Sequence, residues 1–197
     1  MAPILNRFAD LSPSGQIAAL ALVVLLVVLA RFLVASIRRR FFSSRAKRHR
    51  RFQAQARAVL DKLPSIEHAA QRLAYLRKIP PLVFEEVLLE AFELRGCPIE
   101  RNDRYTGDGG IDGKVHIGRE WYFVQAKRYG AHINRAHVDE FIDIVERTGC
   151  KGIFIHTGRT GEASKTLARQ SAHVSIISGD KLLGLLDVSR PWQFQPK

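Results

Sequence analysis

Cysteine is scarce in this chain of 197 residues, and the common ligand-binding loop motifs are incomplete. Cys97 and Cys150 lie beside predicted strands, so we expect reduced core residues and no disulfide framework. The stretch "GRTGEASKT" lacks the Gly-Lys-Ser/Thr ending of a phosphate loop, which argues against nucleotide hydrolysis. In "DGGIDG" a calcium loop would place Gly110 and Arg119 where oxygen ligands are needed. The seven histidines show no metal-ligand spacing.

Acidic residues are almost absent from the first 60 residues, which hold eleven Arg and Lys against one acid, Asp10. Residues 61–197 hold 20 basic and 18 acidic side chains, so the formal net charge of +12 belongs mainly to the N-terminal part. The remainder is nearly neutral and gives no strong electrostatic sign of a nucleic-acid-binding surface.

An apolar run covers residues 17–37 and is interrupted by Arg31. At roughly 1.5 Å per residue this run spans about 30 Å, one hydrocarbon core. The cluster "RRRFFSSRAKRHRR" follows it, which by the positive-inside rule places the C-terminal side in the cytoplasm. We therefore predict a short extracytoplasmic N-terminus (1–14), a single transmembrane helix (15–37) in the inner, cytoplasmic membrane, and a basic segment (38–51) that contacts anionic lipid.

Other interpretations of this segment remain open. A secretory signal peptide would carry its basic residues before the apolar run, whereas here they follow it. Only 14 residues of the run precede Arg31, which also fits an interfacial or buried helix. Contact between the basic cluster and DNA is a further alternative to contact with lipid.

The remaining chain alternates helical and strand patterns. Residues 38–80 are predicted as a basic juxtamembrane and helical linker, with a stalk over 52–63, and residues 81–197 suffice for one domain with its own core. The predicted order from Pro81 is helix, three strands, helix, strand, helix, strand, helix. This alternation predicts an α/β fold with a mixed β-sheet flanked by helices.

Polar side chains converge at one end of the second and third predicted strands. Gln125 and Lys127 are two residues apart, so their side chains share a face. Asp112 begins the preceding strand of an antiparallel pair and would lie near both. A carboxylate and an amide oxygen suit Mg²⁺, and a nearby ammonium can orient water or steady the charge on a phosphate.

A second acid is predicted from the first helix of the domain. At 100° per residue the apolar residues from Phe84 onward form one arc, and Glu86, Glu90 and Glu93 fall opposite it as solvated positions. Glu85 falls at the edge of the buried arc. Because a charge there needs a partner, Glu85 is the acid we assign to the site.

At these residues the chain resembles the Mrr-type branch of the PD-(D/E)xK nuclease superfamily, the type IV restriction endonuclease-like proteins. The resemblance covers Pro81 to Val188 and rests on "FEEVLLEAFELRG", "DGGIDG", "VQAKRY" and "KGIFIHTG". It implies a restriction-endonuclease-like fold and a metal-dependent DNA endonuclease. Carried over residue by residue, the family's catalytic set is Asp112, Gln125, Lys127 and Glu85.

The resemblance also implies roles for these residues. Asp112 and Gln125, with the carbonyl of Ala126, would ligate Mg²⁺, for which Mn²⁺ can substitute. Lys127 would position or activate the attacking water, and Glu85 would assist through the metal or its waters. Gln125 in place of the superfamily's more usual acid removes one negative charge and predicts weaker metal affinity.

Several basic and polar residues lie close enough to contact a DNA backbone. Three of them, Arg128, Tyr129 and Arg135, follow the catalytic strand and would contact the phosphate backbone. That they are solvated surface residues with no DNA contact is an equal alternative. Lys165 lies where a strand passes into a helix, and there it could contact a DNA phosphate. A plain helix cap without a DNA contact is the alternative. Double-strand cleavage requires two sites and so suggests a homodimer.

Two other classes of function stay open. The domain would then be a catalytically inactive nuclease fold that binds DNA or protein, or a membrane scaffold acting through its basic segment. Recognition of methylated DNA is not expected, since no separate recognition domain precedes Pro81. The predicted anchor suggests action on DNA at the membrane, in defence or in DNA transfer.

Overall fold

The computed structural model describes residues 13–102 and 110–194, apart from the side chains of residues 13–16, 18, 19 and 35–46. The chain divides into two compact units, residues 1–49 and 50–197. Helix α1 runs from Pro13 to Lys62 and is followed by a single 3₁₀ turn at Leu63–Ser65.

The first unit exposes a long apolar helical surface. The large hydrophobic side chains described between residues 17 and 34 are 51–73% exposed. Within the part of the chain that the structure describes, no helix has the length and apolarity needed to cross a membrane. Of the predicted span 15–37, the side chains of residues 15, 16, 18, 19 and 35–37 lie outside the described part, as does most of the predicted N-terminal segment 1–14.

The second unit has the predicted order of helices and strands. Its helices after α1 are α2 (Ala69–Lys78), α3 (Pro81–Leu94), α4 (Arg135–Thr148), α5 (Glu162–Gln170) and α6 (Gly179–Leu186). Its strands are β1 (Ile99–Arg101), β2 (Gly113–Ile117), β3 (Glu120–Lys127), β4 (Lys151–His156) and β5 (Val174–Ile177).

The five strands form one mixed sheet in the order β1-β2-β3-β4-β5. Strands β1, β2 and β3 are antiparallel neighbours, whereas β3, β4 and β5 run parallel. Parallel strands need crossover connections, and α4 and α5 supply them. The start of β2 and the carboxyl ends of β3, β4 and β5 therefore meet at one edge of the sheet.

Each face of the sheet has its own apolar core. Helices α3 and α6 cover the face that carries Val124 and Ala126. Helices α4 and α5 cover the opposite face, which carries Phe123 and Phe154. Cys97 and Cys150 are free thiols, each half-buried against one of these cores. The α/β fold with a mixed sheet between helices is confirmed.

The end of helix α1 belongs to the core of the second unit. Ala56, Val59 and Leu60 are buried there, in the same core as α3 and α6. The stretch 52–63, predicted as a stalk, therefore packs into the domain. Its alternating Ala and Gln residues looked polar, but its few apolar side chains fall on one helical face.

The prediction that Glu86 and Glu90 are solvated is wrong, because both carboxylates are buried and only 1% exposed. Arg101 of β1 donates hydrogen bonds of 3.0 Å to Glu86 and to Glu90, and one of 2.7 Å to the exposed Glu93. Arg57 of α1 adds a contact to Glu90 over 2.5 Å. Because Arg57 and Arg101 compensate the charges of Glu86 and Glu90, this face of α3 can be buried. The same ion pairs connect α3 to α1 and to β1.

Candidate active site

Asp112 lies just before β2 at the edge where β3 ends. Its backbone N–H donates to the carbonyl of Val124 over 2.8 Å, and its Oδ2 accepts a bond of 2.7 Å from the backbone N–H of Ala126. At the end of the β2–β3 pair, the Asp112 carboxylate thus accepts the Ala126 N–H bond that a backbone carbonyl of β2 would otherwise accept. Because the N–H and C=O of one strand residue point the same way, the Ala126 carbonyl faces this carboxylate.

Gln125 carries a buried oxygen atom with no partner. Its Nε2 donates to the carbonyl of Gly110 over 2.6 Å, which fixes the orientation of the amide group. Its Oε1 is fully buried and has no hydrogen-bond partner within the described chain. A buried, unsatisfied oxygen costs about 1–3 kcal/mol, so this atom calls for a donor or cation that the described residues do not supply.

Gly110 allows the close approach that orients Gln125. Its φ of +87° lies in the left-handed region, and a Cβ atom at this position would come within 2.7 Å of the Gln125 Nε2. Only glycine combines that backbone conformation with that contact. The "DGGIDG" motif is thus used here to position an amide side chain, although residues 103–109 lie outside the described residues.

Glu85 approaches from helix α3 and is half-buried. Burial and the negative charge of Asp112 raise the pKa of Glu85 to about 8, against an opposing effect of Lys127. Asp112 and Lys127 act on the Glu85 carboxyl group through their charges, so the three side chains lie in one region of the structure. The structure therefore brings together the acid predicted from the helical wheel and the two residues predicted from the strands.

Lys127 ends β3 on the same face as Gln125 and is half-buried. It stands opposite His156 in the parallel register of β3 and β4. A part-buried ammonium whose charge acts on Glu85 is suited to meet an incoming anion.

The donors at this edge suit a hard divalent cation. They are the carboxylates of Asp112 and Glu85, the Oε1 of Gln125 and the carbonyl of Ala126, and all four are oxygen atoms. No group of three or more His, Cys, Asp or Glu residues among those described is placed to hold a metal ion, so a cation at this edge would also need the Gln125 and Ala126 oxygens. The unpartnered Oε1 and the proximity of two carboxylates are the features that a bound cation would relieve.

The predicted DNA contacts at Arg128 and Tyr129 have intramolecular partners. The Arg128 Nη1 donates to the carbonyls of Arg77 and Ile79, at the end of α2. The Tyr129 hydroxyl lies 2.5 Å from the His137 Nδ1. Both side chains are thereby engaged within the fold, and their contact with DNA remains a prediction.

Arg77 and Thr157 complete a clamp that sequence patterns gave no reason to expect. The Arg77 guanidinium donates to the Thr157 carbonyl over 2.7 and 3.1 Å. The Thr157 hydroxyl donates to the Tyr129 carbonyl over 3.1 Å and accepts from the Tyr129 N–H over 3.0 Å. With Arg128, this clamp fixes the ends of β3 and β4 to α2, directly after Lys127.

The other two predicted DNA contacts, Arg135 and Lys165, are both exposed. Arg135 begins α4, and Lys165 in α5 forms a long 3.5 Å ion pair with Glu162. Neither lies among the acids of the site. Their roles in binding DNA also remain predictions.

We expect Arg128→Gln to slow DNA cleavage while leaving DNA affinity nearly unchanged. The substitution removes charge-assisted bonds, typically about 1.5–3 kcal/mol each, from the clamp after Lys127. Cleavage rate at saturating DNA, KM for DNA, and amide hydrogen exchange at residues 127–129 would measure the effect. Arg147→Gln, an exposed arginine bonded within its own helix, is the matched control. A weaker salt dependence of binding in Arg128→Gln would identify a phosphate contact instead.

The fold and site define an α/β protein whose mixed sheet gathers two carboxylates, an amide oxygen and a lysine at one edge. A family model described as a restriction endonuclease, of the Mrr catalytic type, matches residues 76–186. The chain therefore belongs to this restriction endonuclease family.

Comparison with curated proteins gives no match. Among solved structures, the chain is similar to Pyrococcus furiosus SfsA in complex with Ca²⁺, at 18% sequence identity and a TM-score of 0.34. That similarity covers 49% of this chain and 54% of the SfsA chain. The chain thus spans about half the length of this structural relative.

Proposed function

We propose that this protein is a divalent-metal-dependent DNA endonuclease that hydrolyses phosphodiester bonds. The observation that carries the proposal is the Gln125 Oε1, which is buried without a partner among the described residues, one position before the Ala126 N–H that holds Asp112. Membership of the restriction endonuclease family supports DNA as the substrate. Mg²⁺ is the cation we propose, with Mn²⁺ as a substitute, because all the candidate donors are oxygen atoms.

The metal would be held by Asp112, Gln125, the Ala126 carbonyl and Glu85. When bound there, Mg²⁺ supplies a Lewis acid that withdraws charge from the phosphate oxygens. Asp112 is held in place by the Ala126 N–H, and Gln125 by the Gly110 carbonyl, so these ligands are fixed before substrate arrives.

Lys127 would act on the attacking water and the phosphate. Its ammonium group can hold a water by hydrogen bonding and offset charge that builds on the phosphate oxygens. Glu85 would orient a water on the side of the site that faces helix α3. The clamp of Arg128, Arg77 and Thr157 holds the end of β3, so Lys127 keeps its direction toward the site.

Nicking of supercoiled plasmid by the full chain, kept in solution with mild detergent, tests the proposal. We expect nicking with Mg²⁺, none with EDTA, and none from Asp112→Asn or Gln125→Ala in Mg²⁺. The same variants should show weakened Mg²⁺ binding by calorimetry. Mg²⁺-independent nicking, or equal nicking by parent and variants, would contradict the assigned site.

The plasmid products and a DNA-binding measurement distinguish an active nuclease from an inactive nuclease fold, and a monomer from a homodimer. A folded chain that binds DNA but leaves plasmid intact with Mg²⁺ and Mn²⁺ would be an inactive nuclease fold. Direct production of linear plasmid would favour a homodimer with two sites, and sedimentation would show whether the cleaving species is dimeric.

We also propose that residues 15–37 attach the protein to the inner membrane, with the second unit in the cytoplasm. The exposed apolar side chains between residues 17 and 34 support this, because so large an apolar surface is rarely left in water. The basic residues 38–51 would contact anionic lipid. Cell fractionation tests the proposal, and a full chain recovered entirely in the soluble fraction would contradict it. Membrane attachment would in turn favour a role in defence or DNA transfer.

A further inference from the structure

A pocket with a volume of about 440 Å³ lies between helices α5 and α6. We call it the basic cleft, because Lys165 and Arg169 of α5 and Lys181 of α6 line it, together with one acid, Asp180. The hydroxyl groups of Thr160 and Ser178, which follow β4 and β5, lie at its inner end. Cations and hydroxyl groups at the carboxyl ends of parallel strands suit an anionic ligand.

The hydroxyl groups in the basic cleft are oriented by a buried histidine. The Gly158 N–H donates to the His156 Nδ1 over 3.2 Å, so the proton of this ring lies on Nε2. That Nε2 is 3.0 Å from the Thr160 Oγ1 and donates to it. Burial lowers the pKa of His156 to about 4, so the ring is neutral and keeps this single arrangement at neutral pH.

The direction of these bonds leaves a donor facing the basic cleft. The Thr160 and Ser178 hydroxyl oxygens lie 3.3 Å apart, and either can donate in the bond between them. Because Thr160 also accepts from His156, this one bond uses one of the two hydroxyl protons, and the other is available to a ligand. Although Ser178 precedes α6, its side chain makes no capping bond to that helix. An available hydroxyl proton beside Lys181 and beside Lys165 and Arg169, which pair with the exposed Glu162, favours an oxyanion over a neutral ligand.

The basic cleft is next to the proposed active site. His156 is the register partner of Lys127, and neighbouring strands are roughly 4.8 Å apart. Thr160 is one hydrogen bond further on, which places the basic cleft on the order of 10 Å from Lys127. Phosphates on one DNA strand are separated by roughly 3.4 Å of axial rise and lie further apart through space, so this distance spans at most about three nucleotides.

We propose that the basic cleft binds a backbone phosphate of the substrate DNA a few nucleotides from the bond to be cut. This inference rests on the proposed nuclease function. Lys165, Arg169 and Lys181 supply charge, and Ser178 donates a hydrogen bond to a phosphate oxygen. The contact is independent of base sequence and fixes the register of the strand across the active site.

Fluorescence anisotropy of a labelled 20-base-pair duplex, titrated with the full chain in EDTA over a series of salt concentrations, tests the basic cleft without cleavage. We expect Lys165→Gln/Lys181→Gln to reduce the slope of log affinity against log salt by about 0.9 for each phosphate that is no longer neutralised. We expect Ser178→Ala to weaken binding roughly 2- to 12-fold with the slope unchanged, because it removes a neutral donor. Lys151→Gln, an exposed lysine at the opposite end of the sheet, is the matched control.

The outcomes separate this proposal from that of the nuclease. An unchanged slope in the double variant, an equal change in Lys151→Gln, or no binding of the duplex by the parent chain would overturn the basic cleft. Thermal melts identify any variant that fails to fold, and the single variants Lys165→Gln and Lys181→Gln then carry the test. A parent that binds with the expected slopes but does not nick plasmid in Mg²⁺ would leave the basic cleft supported and the nuclease proposal refuted.

Discussion

Lys127→Met is expected to lower the rate of plasmid nicking by roughly 10²- to 10⁴-fold, the range typical for loss of a group that handles a proton or developing charge. The methionine keeps the length and much of the apolar stem of lysine but has no charge or donor. Because none of the proposed metal ligands changes, Mg²⁺ affinity should remain close to that of the parent. Initial nicking rates at saturating DNA and calorimetric Mg²⁺ titrations would measure the two quantities separately.

Lys151→Met is the control for this loss of charge. Lys151 begins β4 at the opposite end of the sheet, where it pairs with the exposed Glu120. Exposed pairs typically contribute less than about 1 kcal/mol, so folding and nicking should both be nearly unchanged. Equal loss of activity in both variants would indicate an effect of overall charge and remove Lys127 from the proposed mechanism.

Arg101→Met is expected to lower the free energy of unfolding by about 3–5 kcal/mol, the usual cost of removing one member of a buried ion pair. Arg101 is 19% exposed, whereas the side chains of Glu86 and Glu90 are only 2% exposed. Without the guanidinium group, the ion pair to Glu86 disappears and Glu90 retains its pair with Arg57. Urea unfolding of parent and variant at pH 7 would show the destabilisation as a lower midpoint at constant slope.

Two further variants separate burial from charge in this network. Arg57 is 65% exposed, so Arg57→Met should cost no more than about 1 kcal/mol although it contacts the same Glu90. Replacing Glu86 and Glu90 by Gln in the Arg101→Met background should recover much of the stability, because the buried charges are then removed as well. A similar cost for Arg57→Met and Arg101→Met would show that burial of the arginine does not determine its contribution.

The order of elements and much of the site geometry followed from local patterns. Strand alternation placed Gln125 and Lys127 on one face, and the antiparallel turn brought Asp112 to the same edge. The helical wheel placed Glu85 at the margin of the apolar arc, and the structure has it half-buried there, because this position depends only on the geometry of α3. These predictions concern residues that are close together in the sequence. There the helical or strand period determines the direction in which each side chain points.

Other features depend on partners that are distant in the sequence. Glu86 and Glu90 looked solvated because the compensating Arg57 and Arg101 come from other elements. The stretch 52–63 resembled a free stalk because four buried apolar side chains among polar ones give a weak signal. The bonds from Arg128 to carbonyl groups at the end of α2 could not be predicted either, because a backbone acceptor does not depend on the identity of its residue.

The site takes its residues from both sides of a single sheet. Glu85 comes from the core covered by α3, whereas Gln125 and Lys127 extend from the face covered by α4. Alignment of the proposed site residues therefore requires both layers to be intact at once. Partial loosening of either layer would separate one half of the site from the other, so we expect the proposed activity to be lost before the chain unfolds and to report the integrity of both cores.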